Sequence, residues 1–385
     1  MRLLLVSHTY IAPANRAKPA ALAALGIDVH VVIPNRWDDP LFDLAATQER
    51  ETEYELTVAP VLLAGHGRSY CFSPRRMAQL LAALRPDIVH VEEELDSVVL
   101  ALFGLLRSRF GYRLTCFAWE NLQRTSWLSP LAHFTARRCD GAVGGSRAAA
   151  GLLRRRGVRG PIAVLPQLGV DEPPTEFRVP SFEFGAEGGD STNPKPETRN
   201  PKPFVVGYVG RLAREKGVHV LVKAVAALDR VDLLVVGRGP EEAALRRQAE
   251  ETGRHVSFAG AVPHGEVPGL LGRMDALVLP SIGSAHWQEQ FGHVLVEAMA
   301  AGVPVIGSSS GAIPEVVGDA GLLVPPGEAD PLAEAIGRLA GDGGLRDELR
   351  AKGLERVRSH FTHARVAEQT AAFLRQVLRP DQSRP

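Results

Sequence analysis

The sequence predicts an α/β fold of two doubly wound, Rossmann-like domains facing one another across a cleft. Its length of 385 residues exceeds one typical domain, and 45% hydrophobic content is enough for two sizeable cores. In the first half, short apolar runs alternate with amphipathic stretches, the pattern of a parallel, helix-covered sheet. From Phe204 onward the same scheme begins again. Ligands of such folds bind at the carboxyl ends of the strands.

Strands are expected at Leu3 to Val6, Val29 to Ile33, Val58 to Leu63, Ile88 to Val91, Arg113 to Phe117, Gly141 to Val143 and Ala163 to Leu165. Helices are expected over about Ala20 to Leu25, Pro74 to Leu84, Ser97 to Phe110, Pro130 to Arg138 and Arg147 to Arg156. These make residues 1–178 the first domain. Residues 179–203, with Asn193-Pro194-Lys195-Pro196 echoed by Asn200-Pro201-Lys202-Pro203, lack core-forming residues and read as an inserted linker without chemistry. Residues 204–361 form the second domain, and 362–385 a last helix and tail.

The 44 basic and 44 acidic residues cancel, so nothing in the charge balance recommends nucleic acid. Cys71, Cys116 and Cys139 are an odd number without metal-type spacing, which argues for a reducing cytoplasm and against a disulfide framework or zinc site. The apolar opening ends too early, at Ser7-His8, for a signal peptide and reads as the first strand. No apolar run approaches the ~20 residues that span a bilayer. The basic run Arg154 to Arg159 reads as a solvated helix end, with a peripheral contact to anionic lipid as the alternative.

Two clusters carry chemistry. Glu289-Gln290-Phe291-Gly292-His293 through Glu297 reads as a helix beginning near Phe291, with Glu289 at its start and Glu297 deeper. At ~1.5 Å per residue the two acids would lie about 12 Å apart along the axis, the span of a diphosphate with a sugar on either side. A helix N-terminus can receive a diphosphate, and Gly292 leaves its approach open. Spacing alone favours two solvated helix acids. The second cluster, strand Phe204 to Val209 and the loop Gly210-Arg211-Leu212-Ala213-Arg214-Glu215-Lys216-Gly217, offers Arg211 and Lys216 to phosphate.

Together these clusters resemble glycosyltransferase family 4, the retaining enzymes of GT-B fold that use activated sugars. The resemblance runs through Val235-Val236-Gly237-Arg238-Gly239-Pro240, Phe258 to His264, the two-glutamate segment and Gly311 to Val317. It implies that Gly210, Arg211 and Lys216 hold a donor diphosphate, with Phe291, Gly292 and His293 at the helix start. It further implies that Glu289 meets the transferred sugar, that Glu297 takes the ribose, and that Ala261 and Val262 follow the backbone that seats the nucleobase. The last helix would pack back onto the first domain.

The first half departs from the family pattern. The loop Ser7 to Lys18 lacks paired glycines; Asn15, Arg16 and Lys18 stand as acceptor-side donors or as solvated turn residues. Glu92, Glu93 and Glu94 follow a strand, so one acid is expected to read an acceptor hydroxyl, with Glu92 and Glu93 both open. Where relatives carry a histidine, this chain has Ala118 and Trp119; Trp119 is a candidate sugar platform and Glu120 and Asn121 candidate hydroxyl readers.

The expectation is therefore a cytoplasmic hexosyltransferase, with peripheral membrane contact left open. Its donor is a nucleoside-diphosphate sugar and its acceptor an unidentified hydroxyl on a lipid-linked sugar, glycan or small molecule. Catalytic roles fall to Arg211, Lys216 and Glu289, without cofactor or metal, since no Asp-x-Asp triplet occurs. Retention follows from the resemblance, with a donor phosphate oxygen taking the acceptor proton. A sugar-nucleotide epimerase and a non-catalytic sugar-nucleotide-binding protein remain the alternatives; a dinucleotide oxidoreductase lacks its Gly-x-Gly-x-x-Gly entry signal after the first strand.

Overall fold

The computed structural model describes residues 1–38, 43–46, 53–123, 129–173 and 202–379. Nearly all of the expected 179–203 linker lies outside them. The chain forms two compact units: Met1–Glu172 with Ala285–Phe291 and Arg358–Pro385, and Pro173–Ser284 with Gly292–Val357.

In the first unit the strands are β1 (Arg2–Val6), β2 (Asp28–Pro34), β3 (Arg36–Asp38), β4 (Asp43–Ala45), β5 (Glu55–Ala59), β6 (Val61–Leu62), β7 (Cys71–Phe72), β8 (Ile88–Val91), β9 (Arg113–Ala118), β10 (Gly141–Gly144) and β11 (Ile162–Val164). Seven of them form one sheet in the order β11-β10-β9-β8-β1-β2-β5, every pairing parallel. The helices are α1 (Ala17–Ala24), α2 (Pro74–Leu84), α3 (Val98–Phe110), α4 (Ser129–Ala136) and α5 (Arg147–Arg155). Ser73, Ser97 and Ser146 cap α2, α3 and α5 by accepting a first-turn N–H.

Successive residues of β1 enter different cores, as strand geometry requires. Leu4 and Val6 pack with Met77, Leu81, Val99 and Phe103. Leu3 and Leu5 pack with Leu22 of α1 and with Ala371, Phe373 and Leu374 of the last helix. That helix (His363–Leu378), capped by Thr362, is therefore a structural part of the first unit. The expected strand Val58 to Leu63 is divided: Pro60 has no N–H for a ladder, so β5 ends at Ala59 and Val61–Leu62 pairs antiparallel with Cys71–Phe72.

The second unit repeats the plan with β12 (Phe204–Val209), β13 (Val231–Val236), β14 (Val256–Gly260), β15 (Ala276–Leu279), β16 (Val305–Ser308) and β17 (Gly321–Val324), in the order β14-β13-β12-β15-β16-β17. Its helices are α6 (Val218–Ala226), α7 (Glu242–Thr252), α8 (Val267–Leu271), α9 (His293–Ala300), α10 (Ile313–Val317), α11 (Ala329–Gly341) and α12 (Gly343–His360), which makes the last helix α13. All four residues of β15 are buried, the mark of a parallel strand covered on both faces.

One correction bears on the site. The helix expected to begin near Phe291 begins at His293, because Gly292 sits at φ +84°, outside right-handed helical space. Glu289 lies in the preceding loop, so the axial spacing expected between the two glutamates does not apply. Moreover, 285–291 groups with the first unit and Glu297 with the second.

Candidate active site

In the second unit the basic loop is tied to the segment that follows β15. The loop after β12 carries Gly210 and Arg211, then a short 3-10 turn Arg214–Lys216. The Ile282 N–H, in the loop after β15, donates to the Glu215 carbonyl at 2.8 Å. Gly217 has φ +72°, and a Cβ there would collide with the Pro280 carbonyl. The basic loop is thus clamped to the segment leading toward α9. Arg211 is exposed, its guanidinium 2.6 Å from Glu215, and Tyr208 braces the loop by donating its hydroxyl to the Arg211 carbonyl at 2.8 Å. Arg211, Lys216 and the N-terminal end of the α9 dipole therefore share one end of the sheet.

Glu297, on the second turn of α9, is only 21% exposed and lies 3.9 Å from His264. Burial raises its pKa, and His264 partly offsets that. His264 follows the strand-end segment Gly260-Ala261-Val262, where Ala261 is exposed and Val262 half-buried. The residue expected at the ribose and the segment expected at the base therefore come together, as do Gly292 and His293 at the helix start.

In the first unit the three consecutive acids diverge. Each is engaged by a different partner, because β8 ends at Val91 and strand alternation no longer governs them. Glu92 is buried: Lys18 Nζ lies 2.5 Å from its Oε1, and Gln167 donates to its Oε2 at 3.0 Å. Burial, the largest influence, would raise its pKa, but Lys18, His90 and the Gln167 hydrogen bond together outweigh it and the net shift is downward. Glu93 accepts from Tyr70 at 2.5 Å and from His8 Nδ1 at 2.6 Å. Glu94 accepts the Trp119 and Glu120 N–H groups at 2.7 and 2.9 Å. Its carboxyl is enclosed although the residue is partly exposed, and burial together with the Glu120 charge raises its pKa to about 7.

Several acceptor-side candidates are engaged by partners within the chain. Asn15 and Arg16 were expected to offer side-chain donors, but they turn inward: Asn15 donates to the Thr9 carbonyl and buried Arg16 to the Tyr10 carbonyl, each at 2.9 Å. Trp119, the expected sugar platform, packs its ring 4.8 Å from Phe117 and 5.6 Å from Phe291 and donates Nε1–H to Gln167 at 2.9 Å. Glu120, an expected hydroxyl reader, is held by Arg68 at 3.1 Å and Arg156 at 2.8 Å. That pairing also removes Arg156 from the expected solvated or lipid-facing run. Asn121 donates to the Glu289 carbonyl at 3.1 Å, which fixes the backbone of buried Glu289.

Both halves of the chain match family models: residues 20–171 match Glycosyltransferase Family 4, and residues 190–356 match Glycosyl transferases group 1. The chain belongs to glycosyltransferase family 4. The chain is 40% identical over 160 residues to a phosphatidyl-myo-inositol mannosyltransferase of Mycobacterium leprae, a stretch covering 40% of this chain and 41% of that protein. It is 36% identical over 184 residues to a 2-deoxystreptamine glucosyltransferase of Streptomyces kanamyceticus, covering 45% and 46%. The match thus spans less than half the length of these curated relatives.

Among solved structures, sucrose-phosphate synthase from Thermosynechococcus elongatus superposes with TM-score 0.70 at 23% identity, covering 98% of this chain and 99% of that one. Anabaena HepE in complex with UDP also reaches 0.70, at 19% identity, covering 97% and 99%. The chain has their GT-B fold of two Rossmann-like units.

Sequence reasoning missed His8, Tyr70, Arg68 and Gln167. Gln167 bridges Trp119, Glu92 and, through Nε2 at 3.1 Å, Thr9. None of these lies in a motif; distant segments bring them together. Among the described residues no group of three His, Cys, Asp or Glu is placed to hold a metal ion, and no helix is long and apolar enough to cross a membrane.

Proposed function

We propose that the chain is a retaining glycosyltransferase that moves a hexose from a nucleoside diphosphate to a hydroxyl acceptor, without a metal ion. The observation that carries this reading is the clamp between Glu215 and Ile282, which holds the Arg211 and Lys216 loop to the segment feeding α9. When the anomeric carbon–oxygen bond breaks, its electron pair leaves with the diphosphate. Arg211, Lys216 and the α9 amides are charges and dipoles set in advance to receive it. Glu297 is half-buried and aimed toward His264, suited to accept from paired ribose hydroxyls. Glu289 takes hydroxyls of the transferred sugar.

The relatives and neighbours support a nucleotide-hexose donor. A Mycobacterium tuberculosis relative, 36% identical over 184 residues, is named a GDP-mannose-dependent mannosyltransferase, and the HepE fold has been solved in complex with UDP-glucose. The acceptor side, built from fixed polar residues rather than an open indole, fits a polyol or sugar hydroxyl, whether lipid-linked or free. The site of action is the cytoplasm.

Incubation with UDP-glucose and GDP-mannose, with and without glycan and lipid-linked acceptors and with and without chelator, tests the reading. Release of nucleoside diphosphate coupled to an α-linked product is expected, undiminished by chelator. Donor converted to an epimer without acceptor, or bound but never consumed, would favour the epimerase or the binding protein.

A further inference from the structure

We propose that Arg238 reads the base of the donor nucleotide and gives the site a preference for guanine over uracil, an inference that deepens the glycosyltransferase reading above and rests on it. Every residue it invokes belongs to the second unit.

Arg238 stands two residues past the end of β13, where its neighbours fix the backbone closely. The loops after β12, β13 and β14 are laced together. The Gly210 N–H donates to the Val236 carbonyl and the Leu212 N–H to the Arg238 carbonyl, each at 2.9 Å, and the Gly237 N–H donates to the Gly260 carbonyl at 2.7 Å. A Cβ on Gly237 would collide with the Gly210 carbonyl and one on Gly239 with the Leu212 carbonyl, so both positions flanking the arginine require glycine. Arg238 is thereby pinned between the loop that carries Arg211 and the segment Gly260-Ala261-Val262. Both lie at the carboxyl end of the sheet, where doubly wound folds place their ligands.

The exposed side chain reaches across to that segment: Nε and Nη2 lie 3.6 and 3.8 Å from where a Cβ on Gly260 would stand. Among the described residues the guanidinium has neither an acid nor another hydrogen-bond acceptor. The acids that follow it in sequence are taken by other arginines, Glu241 by Arg214 at 3.8 Å and Glu242 by Arg246 at 2.9 Å. A solvated arginine would account for the exposure. It does not account for a guanidinium resting against the glycine that opens the base segment with its donors unused.

The chemistry favours one base over the other. A guanidinium offers parallel N–H donors in one plane. Guanine presents O6 and N7 as adjacent acceptors and can take two of them. Uracil presents O4 beside a C–H on one edge and beside the N3–H donor on the other, so it can take only one. With the diphosphate at the Arg211 and Lys216 loop and the ribose at Glu297, the base is the part of the donor left for Arg238 to meet.

The test is calorimetry on the full chain with GDP and UDP as probes. Wild type should bind GDP more tightly. Arg238→Ala should lower GDP affinity about ten- to a hundredfold and leave UDP affinity within about twofold, so the preference disappears. Arg238→Lys keeps the charge without the fork and should also lose the preference. A cation that only attracted the diphosphate would weaken both nucleotides equally on Arg238→Ala and be rescued by lysine. That outcome, a wild type that prefers UDP, or a preference unchanged in folded Arg238→Ala each overturns the assignment and leaves the glycosyltransferase reading standing. Should the variants not fold, 7-deaza-GDP, which has a C–H in place of N7, decides on the wild type: affinity equal to that of GDP overturns the assignment, and weaker binding supports it. A wild-type chain that binds neither GDP nor UDP overturns both readings together.

Discussion

Lys18 and Glu92, which stand 74 positions apart, form an ion pair of 2.5 Å with side chains 1% and 0% exposed. Lys18 belongs to α1 and Glu92 follows β8, so the pair ties the helix after β1 to the neighbouring strand's end. Breaking one side leaves an uncompensated buried charge. Lys18→Met should cost about 3–5 kcal/mol in urea unfolding, and adding Glu92→Leu should restore much of it. Because the folded pKa of Glu92 is held below 4.5, its contribution is present above that value and is lost as pH falls through the lower folded one. If the double variant proved no more stable than Lys18→Met, the pair would not be the source of the loss.

Glu94 should behave in the opposite sense. Its folded pKa of about 7 stands above the ordinary 4.5, so its contribution is full below 4.5 and is lost as pH rises through about 7. Each unit of such a shift is worth about 1.4 kcal/mol. Glu94→Gln keeps an oxygen for the Trp119 and Glu120 amides without the charge. Its stability curve should therefore be flatter across that window and should cross above wild type on the alkaline side.

Gly217→Ala should damage the donor side through the backbone. The residue is left-handed and its Cα faces the Pro280 carbonyl, so the clamp between loops must open. The strain is of order 1–3 kcal/mol. Thermal unfolding should show a lowered midpoint, and calorimetry a weaker nucleoside diphosphate affinity; an unchanged affinity would detach the loop from binding.

Arg211→Ala and Lys216→Ala should each lower turnover by roughly ten- to a hundredfold, the consequence of losing a charge-assisted contact of about 1.5–3 kcal/mol. Arg211→Lys should recover only part of the rate, because an ammonium lacks the planar fork. Steady-state kinetics on folded variants checks both.

Glu297→Gln and Glu289→Gln should separate. The first should weaken free nucleoside diphosphate as well as donor, since Glu297 sits on α9 beside His264 in the second unit. The second should leave nucleoside diphosphate binding near wild type and lower transfer, because its partner is present only with the sugar. Equal loss of nucleoside diphosphate binding in both would contradict the division of roles.

The doubly wound scheme was legible because its causes are local. Runs such as Leu3 to Val6 are strands by composition, Ser73-Pro74 starts a helix at the expected residue, and Gly210 to Gly217 announces a phosphate loop by residue type. Family membership was legible for the same reason, since its motifs are short and contiguous. Tertiary structure alone decided the rest. Gly292, at φ +84°, moved the start of the expected helix to His293, and a Cβ there would stand 2.8 Å from the Leu279 side chain. The loop 285–291 joined the first unit because Phe291 packs against Trp119 and Phe361. His8 and Tyr70 carried no signal of their own, and Lys18, read as an acceptor-side donor or a solvated turn residue, is instead the buried partner of Glu92. Each met its buried acid, Glu92 or Glu93, only in the folded chain, where the parallel sheet sets the ends of β1 and β8 side by side and burial makes every unpaired charge costly.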